Sequence, residues 1–163
     1  MKIELRYPKV SDAKKFLDIL KNPNFKYFSF CPISVEEEIK WIKNCVKNRK
    51  NNLEYNYAII LGGKLIGGCG IKIDQHLKHI GEIGYFVAEE YWGKGIATKA
   101  VKLLEKIAFK DLKLRRLTIL MSSKNKGSEK VAIKCGYKKE GTMRKYRKLN
   151  SKLTDYHLYA KVK

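Results

Sequence analysis

The sequence predicts a mixed α/β (α+β) chain built around a mostly antiparallel central sheet. Short runs rich in β-branched and aromatic residues alternate with segments in which apolar residues recur at three- and four-residue spacing. Turns at Gly62-Gly63 and Asn150-Ser151 join strand-like runs, which predicts antiparallel hairpins. With 163 residues, of which 44% are hydrophobic, the chain is expected to form a single domain over residues 1–163 with its own core.

The first third of the chain predicts one strand and two helices. Residues 3–7 alternate as a strand, and Ser11 and Asp12 can cap the helix that follows. Ser34 followed by Glu37 fits a capping box, which predicts the start of a second helix. The aromatic segment 22–32 between the helices is too irregular for either element, so we expect a loop there.

The rest of the chain predicts further strands and helices. The second strand of a hairpin at 57–61 and 65–73 carries Gly67, Gly68 and Gly70, which indicates a bulge or a close backbone approach. The other predicted elements, in chain order, are a strand at 82–87, a helix from 97, a buried strand at 116–121, a short helix that Asn125 and Ser128 precede and that ends at Gly136, and a closing hairpin of 142–148 with 154–162.

The stretch 81–110 combines a strand, a glycine loop and a helix start. Gly93 and Gly95 flank Lys94 just before the helix, where unpaired backbone N–H groups and the helix dipole favour a negatively charged ligand. Glycines let the backbone approach a ligand closely, so the loop suits a phosphate or pyrophosphate. An ordinary strand-to-helix turn explains the same residues, and neither the P-loop nor the dinucleotide-binding pattern fits them.

This loop and a second motif downstream resemble a known family. The run 92–97, Trp-Gly-Lys-Gly-Ile-Ala, resembles the acyl-CoA pyrophosphate loop of the GNAT acetyltransferases, Q/R-x-x-G-x-G/A, with Trp92 at the usual Gln/Arg place. Asn125, Ser128 and the pair Gly136-Tyr137 resemble the family's Asn-x-x-Ser/Ala helix and its Gly-Phe/Tyr end. The resemblance covers residues 5–160 and is typical of one branch, the ribosomal-protein N-terminal (RimJ/RimL-like) acetyltransferases.

The resemblance implies a GNAT fold, with helices on both faces of the sheet and two central strands, 82–87 and 116–121, splayed apart where acetyl-CoA enters. It also implies acetyl-CoA as the cofactor. The implied cofactor-binding residues are Phe86, Val87, Trp92, Gly93, Lys94, Gly95, Ile96, Ala97, Thr98 and Asn125.

The implied reaction is direct transfer of an acetyl group from the CoA sulfur to a primary amine. Deprotonating an α-amine with a pKa near 8 costs only about 1 kcal/mol at neutral pH, whereas a lysine ε-amine costs about 4.6 kcal/mol. Many GNAT enzymes carry a Tyr acid where this chain has Ala132, and its loss favours an acceptor that is easily deprotonated. We therefore expect the acceptor to be a protein or peptide N-terminus of the ribosomal-protein type.

Two residues are candidates for proton transfer. Glu82 is the predicted general base, directly or through water, and the alternative is a strand-end carboxylate paired with a lysine. Ser128 can donate a proton to the leaving sulfur, although a helix N-cap explains it as well. The candidate acceptor-lining residues are aromatic, and core packing would also account for them: Phe28, Phe30, Tyr85 and Tyr146.

Two other functions remain open at this point. One is acetylation of a small amine, such as a polyamine or an aminoglycoside-like compound, although a formal net charge of +20 disfavours a polycation. The other is a catalytically inactive CoA- or RNA-associated protein of the same fold. The glycine loop argues against the second, because a scaffold would have no need of it.

Composition bounds the partners and the location. The basic C-terminal region suggests proximity to the ribosome or to nucleic acid, but a solvated face is the simpler interpretation. The absence of a long apolar run or a signal peptide indicates a cytoplasmic protein that does not enter a membrane. We expect a monomer or homodimer. Four separated cysteines, with His76 and His79, do not form a complete ligand set, so no metal site is expected.

Overall fold

The computed structural model describes residues 1–28 and 32–163. Its main elements in chain order are β1 (Ile3–Arg6), α1 (Ala13–Leu20), α2 (Val35–Lys50), β2 (Glu54–Leu61), β3 (Lys64–Ile73), β4 (Ile80–Val87), α3 (Ile96–Lys106), β5 (Arg116–Ser122), α4 (Lys126–Lys134), β6 (Lys138–Leu149) and β7 (Lys152–Val162). The strands form a sheet with the order β1-β2-β3-β4-β5-β7-β6, in which β4 and β5 are parallel and the other neighbours antiparallel. The predicted mixed, mostly antiparallel fold is confirmed. No helix in the described ranges is both long and apolar enough to cross a membrane.

Helices cover both faces of the sheet, as the resemblance implied. On one face, called here the α1/α2 face, Phe16 and Ile42 pack against Ala58 and Ile60. The opposite α3/α4 face carries the larger core. Its helical members include Ile96, Ala100, Val101 and Leu104 of α3 and Ala132 of α4, all buried.

The two parallel strands separate along their length. β4 and β5 pair at Gly81 with Leu117 and at Glu82 with Thr118, and no pairing follows. β4 nevertheless continues to Val87, and β5 continues to Ser122. The predicted splay therefore begins immediately after Glu82 and leaves a gap between the carboxyl ends of the two strands.

The glycine-rich strand β3 makes the close approaches that its sequence indicated. The register between β2 and β3 shifts between Ile59 and Ile60, which is the expected bulge. A Cβ atom on Gly67 would overlap the carbonyl oxygen of Phe86, and one on Gly70 would overlap the side chain of Asn56. Glycine at both positions therefore lets the neighbouring groups lie against the backbone of β3.

The helix starts agree only partly with the prediction. Ser34 Oγ accepts a hydrogen bond from the Glu37 amide (3.3 Å) and begins α2 as expected. α1 is present with Asp12 at its N-cap position, but the predicted side-chain cap is not: Asp12 instead binds Arg6 (2.6 and 2.8 Å) and the Lys9 amide (2.8 Å). Burial alone would raise the pKa of Asp12, but its bonds to Arg6 and Lys9 hold that pKa below the usual value.

Glu38 of α2 is a buried carboxyl group outside the α3/α4 core. Its side chain lies on the inward face with Ile42 and Cys45, and Oε2 has no hydrogen-bond partner among the described residues. Burial raises the pKa of Glu38. The folded chain therefore holds a proton here to higher pH than the unfolded chain. The stabilising contribution of this group is complete below the unfolded pKa and is lost as pH rises through the folded pKa.

We expect Glu38→Gln to stabilise the protein by about 1 kcal/mol at about pH 8 and to lose this advantage at about pH 4, where the carboxyl is protonated in the unfolded chain as well. The amide keeps the shape of the neutral acid and cannot ionise. Urea unfolding at the two pH values measures the difference. Glu4→Gln, which changes an exposed carboxylate, is the matched control and should show no such pH dependence. A Glu38→Gln variant that is less stable at the higher pH would contradict the argument.

Candidate active site

The loop between β4 and α3 presents a row of free backbone amides. In the described ranges, no hydrogen-bond acceptor lies against the amides of residues 93–98, and the first paired amide is that of Lys99, which donates to the Gly95 carbonyl (3.1 Å). Gly93 and Gly95 have φ angles of +72° and +73°, and a Cβ on either would meet nothing within 4 Å. These amides lie at the positive end of a helix, and no side chain covers the two glycines, so they can bind an anion.

The lysines near this loop have other contacts. Lys94 Nζ lies 5.5 Å above the ring of Tyr91. Lys99 Nζ donates to the backbone carbonyl of Met1 (2.5 Å), outside the loop. Within the described residues, the backbone amides and Lys94 Nζ thus have no hydrogen-bond acceptor, whereas Lys99 is engaged elsewhere.

The gap between β4 and β5 exposes the backbone of alternate β4 residues. The Asp74 amide donates to the Ile80 carbonyl (3.0 Å) and the Ala88 amide to the Ile66 carbonyl (2.8 Å). The backbone N–H and C=O groups of even-numbered β4 residues therefore point towards β3 and hydrogen-bond to it. The amides of Tyr85 and Val87 consequently turn towards β5, where no strand partner remains. The Val87 amide is therefore placed to donate to a ligand in the gap.

Two residues predicted at the cofactor site contribute differently from expectation. The amide of Phe86 lies on the β3 side by the same alternation, and its ring packs 5.9 Å from that of Phe16. Trp92, at the Gln/Arg place of the motif, donates from Nε1 to the Val87 carbonyl (2.6 Å). Its ring makes an edge contact with Phe25 at 5.5 Å. Trp92 therefore secures the end of β4 against the loop.

The aromatic loop is attached to the same region. Phe28 lies 5.4 Å from Phe86, ring to ring, at the end of β4. The side-chain amides of Asn22 and Asn24 both donate to the carboxylate of Glu89 (2.6 and 2.7 Å). We call these two bonds the Glu89 clamp. Sequence reasoning missed Glu89, since nothing in its neighbourhood indicates a partner 65 residues earlier. Phe30 lies outside the described residues.

Asn125, and not Ser128, provides the N-cap of the helix α4. Asn125 Oδ1 accepts from the Ser128 amide (3.1 Å), so Asn125 is the N-cap of α4 and Ser128 is not. The Ser128 hydroxyl instead lies 2.8 Å from the hydroxyl of Tyr85. Burial raises the pKa of Tyr85 to about 12, although its bond to Ser128 opposes the change. Tyr85 therefore carries its proton at neutral pH.

Tyr85 follows the core-packing alternative of its prediction. Its side chain packs against the α3/α4 core and reaches α4, away from the predicted acceptor pocket. The side-chain alternation of β4 explains this, because Ile83, Tyr85 and Val87 share one face while Glu82 and Gly84 share the other. Nothing in the sequence states which of these two faces belongs to α3 and α4.

The α1/α2 face is open beside the gap. α1 and α2 lie over β2 and β3, and Gly84 of β4 is exposed with nothing within 4 Å of an added Cβ. Glu82, two residues earlier on the same face, is half-buried, and its carboxylate has no hydrogen-bond or ion-pair partner in the part of the chain described. The unpaired Glu82 carboxylate and the exposed backbone at Gly84 lie where β4 and β5 begin to separate.

Tyr146 stands on the hairpin at the far side of this face. The residue is 45% exposed, and its ring lies 5.7 Å from that of Tyr156. Tyr156 is buried, and its hydroxyl has no hydrogen-bond partner among the described residues. Tyr156 pairs with Ser122 at the end of β5, so both tyrosines lie at the mouth of the gap.

The described cysteines are poor nucleophiles. Cys45, Cys69 and Cys135 are all buried. Burial raises the pKa of Cys45 to about 12 and that of Cys135 to about 11, and it raises that of Cys69 further. None of the three therefore provides a thiolate at neutral pH.

Comparison with known proteins agrees with this geometry. Residues 2–138 match the model of the acetyltransferase (GNAT) domain. The probable N-acetyltransferase YjcK of Bacillus subtilis (strain 168) is 32% identical over 167 residues, which cover 97% of this chain and 92% of YjcK. The ribosomal-protein-serine acetyltransferase of Escherichia coli (strain K12) is 28% identical over 129 residues, covering 79% of this chain and 72% of that protein.

A solved structure gives the same result. The microcin C7 self immunity acetyltransferase MccE, in complex with acetyl-CoA and AMP, superposes with a TM-score of 0.89 and is 26% identical, covering 99% of this chain and 93% of that one. The sequence match, the fold and the splayed parallel strands therefore all indicate the same family. The chain belongs to the GNAT acetyltransferase family and is an N-acetyltransferase.

Proposed function

We propose that this enzyme takes its acetyl group from acetyl-CoA and transfers it directly to the α-amine of a protein or peptide. The observation that carries the proposal is the row of free amides at residues 93–98, placed beside the gap between β4 and β5. The structural neighbour MccE, whose structure is a complex with acetyl-CoA, supports the choice of donor. The E. coli relative, named for acetylating a ribosomal-protein serine, supports the choice of acceptor.

The residues of the site fit acetyl-CoA as the donor of the acetyl group. The open backbone of residues 93–98 would hold its diphosphate, since these amides lack other acceptors and no Cβ obstructs the two glycines. The amides of Tyr85 and Val87 face the gap and would donate to a carbonyl oxygen there. When bound, acetyl-CoA supplies the acetyl group as a thioester.

Glu82 is the proposed base. It lies on the open α1/α2 face at the start of the gap, and its carboxylate is free to accept a proton from an ammonium group. An α-ammonium loses its proton at a cost of only about 1 kcal/mol near neutral pH, so a modest base is sufficient.

Ser128 and Tyr85 are proposed to hydrogen-bond the departing sulfur from the α3/α4 face. The Tyr85 phenol remains protonated because burial raises its pKa to about 12, and its hydroxyl lies 2.8 Å from that of Ser128. The pair would donate a hydrogen bond to the departing sulfur, and because a thiol with a pKa of about 8.5 is a stronger acid than this phenol, the thiolate takes its proton from solvent while Tyr85 keeps its own. This pair occupies the side of α4 where Ala132 provides no hydroxyl.

Direct transfer agrees with the state of the thiols. A covalent acetyl-enzyme would need a nucleophile near the gap, and the three cysteines within the described ranges are buried with raised pKa values. The acceptor amine would therefore attack the thioester carbonyl directly, with Glu82 as its base. The two substrates must then be bound together.

A thiol-release assay over matched acceptors tests the proposal. We expect CoA release with peptides that begin with Ser or Ala, and none with the same peptides carrying an acetylated α-amine and an internal lysine, because the lysine is about 3.6 kcal/mol harder to deprotonate. Mass spectrometry locates the added acetyl group. Faster turnover of spermidine than of every free peptide would replace this proposal with a small-amine acceptor.

A further inference from the structure

The far end of the β6–β7 hairpin carries unneutralised positive charge. Among residues 144–154, five are Lys or Arg and none is Asp or Glu. We call these five the cationic tip: Arg144, Lys145, Arg147, Lys148 and Lys152. Within the described residues none of them has a carboxylate at ion-pair distance, whereas Arg116, Lys126 and Lys161 each have one. The nearby Asp155 directs its carboxylate to the Lys145 amide (2.8 Å).

The cationic tip projects past the end of the sheet where the gap opens. β7 stays bound to β5 up to the pairing of Tyr156 with Ser122, and the Ser123 amide donates to the Asp155 carbonyl (2.9 Å). Residues 144–154 lie beyond this point. The tip therefore extends from the same end of β5 that forms one side of the gap.

Aromatic packing fixes part of the tip on the α1/α2 face. The guanidinium of Arg147 lies 5.3 Å from the ring centre of Tyr146 and 5.5 Å from that of Tyr156. Arg147 pairs with Thr154, which shares a face with Tyr156 and, through β5, with Glu82. The tip thus stands at the rim of the face that carries the proposed base.

We propose that the cationic tip binds an acidic segment of the acceptor polypeptide a few residues after its N-terminus. The proposal rests on the proposed function. From the level of Glu82 to that of Tyr156 the sheet rises by four residues of β5, which is about 13 Å. An extended peptide with its amine near Glu82 reaches the tip at roughly its fifth to eighth residue.

The chemistry of the tip fits carboxylates better than a nucleic acid. Single-stranded nucleic acids are held by cations together with several aromatic faces on which bases stack. Tyr146 is the exposed aromatic residue of the tip, and its ring already contacts Tyr156 and Arg147. Carboxylates need only the N–H donors and the charge that the tip provides.

Paired peptides test the inference. Two peptides share their first four residues and differ in having Asp and Glu, or Asn and Gln, at about positions 5 to 8. We expect kcat/KM to be about tenfold higher for the acidic peptide at low salt, and the ratio to fall towards 1 at about 0.5 M salt. K148E/K152E should abolish the preference. K110E/K163E, which removes the same charge from the opposite end of β5, should keep it.

The outcomes separate the two proposals. Equal turnover of acidic and neutral peptides, or a preference that survives in K148E/K152E, overturns the cationic tip as an acceptor site while acetylation of N-termini stands. Binding of poly(U) that K148E/K152E abolishes, with peptide preference unchanged, assigns the tip to nucleic acid and also overturns it. Turnover of spermidine with no turnover of any peptide overturns the proposed function itself.

Discussion

Gly95→Glu is expected to abolish acetyl-CoA binding. Gly95 has a φ of +73° at the N-cap of α3, and the space beside it is open because it carries no side chain. A glutamate there would strain the backbone and place a carboxylate among the amides of residues 93–98. A ligand present at 100 times its Kd stabilises the fold by about 2.7 kcal/mol, so wild-type protein should show a clear rise in Tm with CoA and the variant should show none.

Gly63→Glu is the matched control for this prediction. Gly63 also has a positive φ, +76°, with nothing within 4 Å of an added Cβ, and it lies in the turn between β2 and β3. The control therefore carries the same backbone strain and the same new charge outside the glycine loop. A normal rise in Tm with CoA in Gly95→Glu would show that the amide row does not bind the coenzyme. Loss of that rise in both variants would show that the effect does not depend on the glycine loop.

Glu82→Gln is expected to lower kcat by about 100-fold at neutral pH, within the usual range for a general base. KM for acetyl-CoA should be unchanged, since Glu82 lies on the α1/α2 face while the amide row adjoins α3. The deficit should shrink as pH rises through about 8, because an α-amine then loses its proton to solvent. Steady-state kinetics across this pH range measures both effects.

Glu82→Asp provides the comparison. It keeps a carboxylate at the start of the gap but withdraws it by one methylene, so activity should fall between those of wild type and Glu82→Gln. A purely structural role for Glu82 predicts instead that both variants lose stability and that pH leaves the ratio of their rates unchanged. Full turnover by Glu82→Gln across the range would exclude Glu82 as the base.

The elements themselves were largely readable from the sequence. The apolar spacing after Ala97 predicted α3, and the turn residues at Gly62-Gly63 and Asn150-Ser151 predicted both hairpins. Strand and helix periodicities are local properties, so a few consecutive residues are enough to reveal them. The splay between β4 and β5 came from the family resemblance alone, because no local pattern reports where two distant strands cease to pair.

The site was less predictable because its contacts join distant segments. The bond between Tyr85 and Ser128 spans 43 residues, and it depends on which face of β4 meets α4. Asp12 has the residue type of a helix cap, but Arg6 on the neighbouring strand competes for its carboxylate. Short polar side chains serve several roles at similar free energies, so sequence alone could not choose among them.

The Glu89 clamp has a thermodynamic consequence for the whole catalytic cycle. It fastens the loop containing Asn22 and Asn24 to the turn that leads into Trp92 and the glycines. Any factor by which a bound coenzyme alters affinity for the acceptor through this linkage must be returned, at equal size, by the acceptor to the coenzyme. In the proposed arrangement, with the acceptor on the α1/α2 face and the coenzyme at the amide row, the Glu89 clamp would carry this coupling free energy between the two substrates.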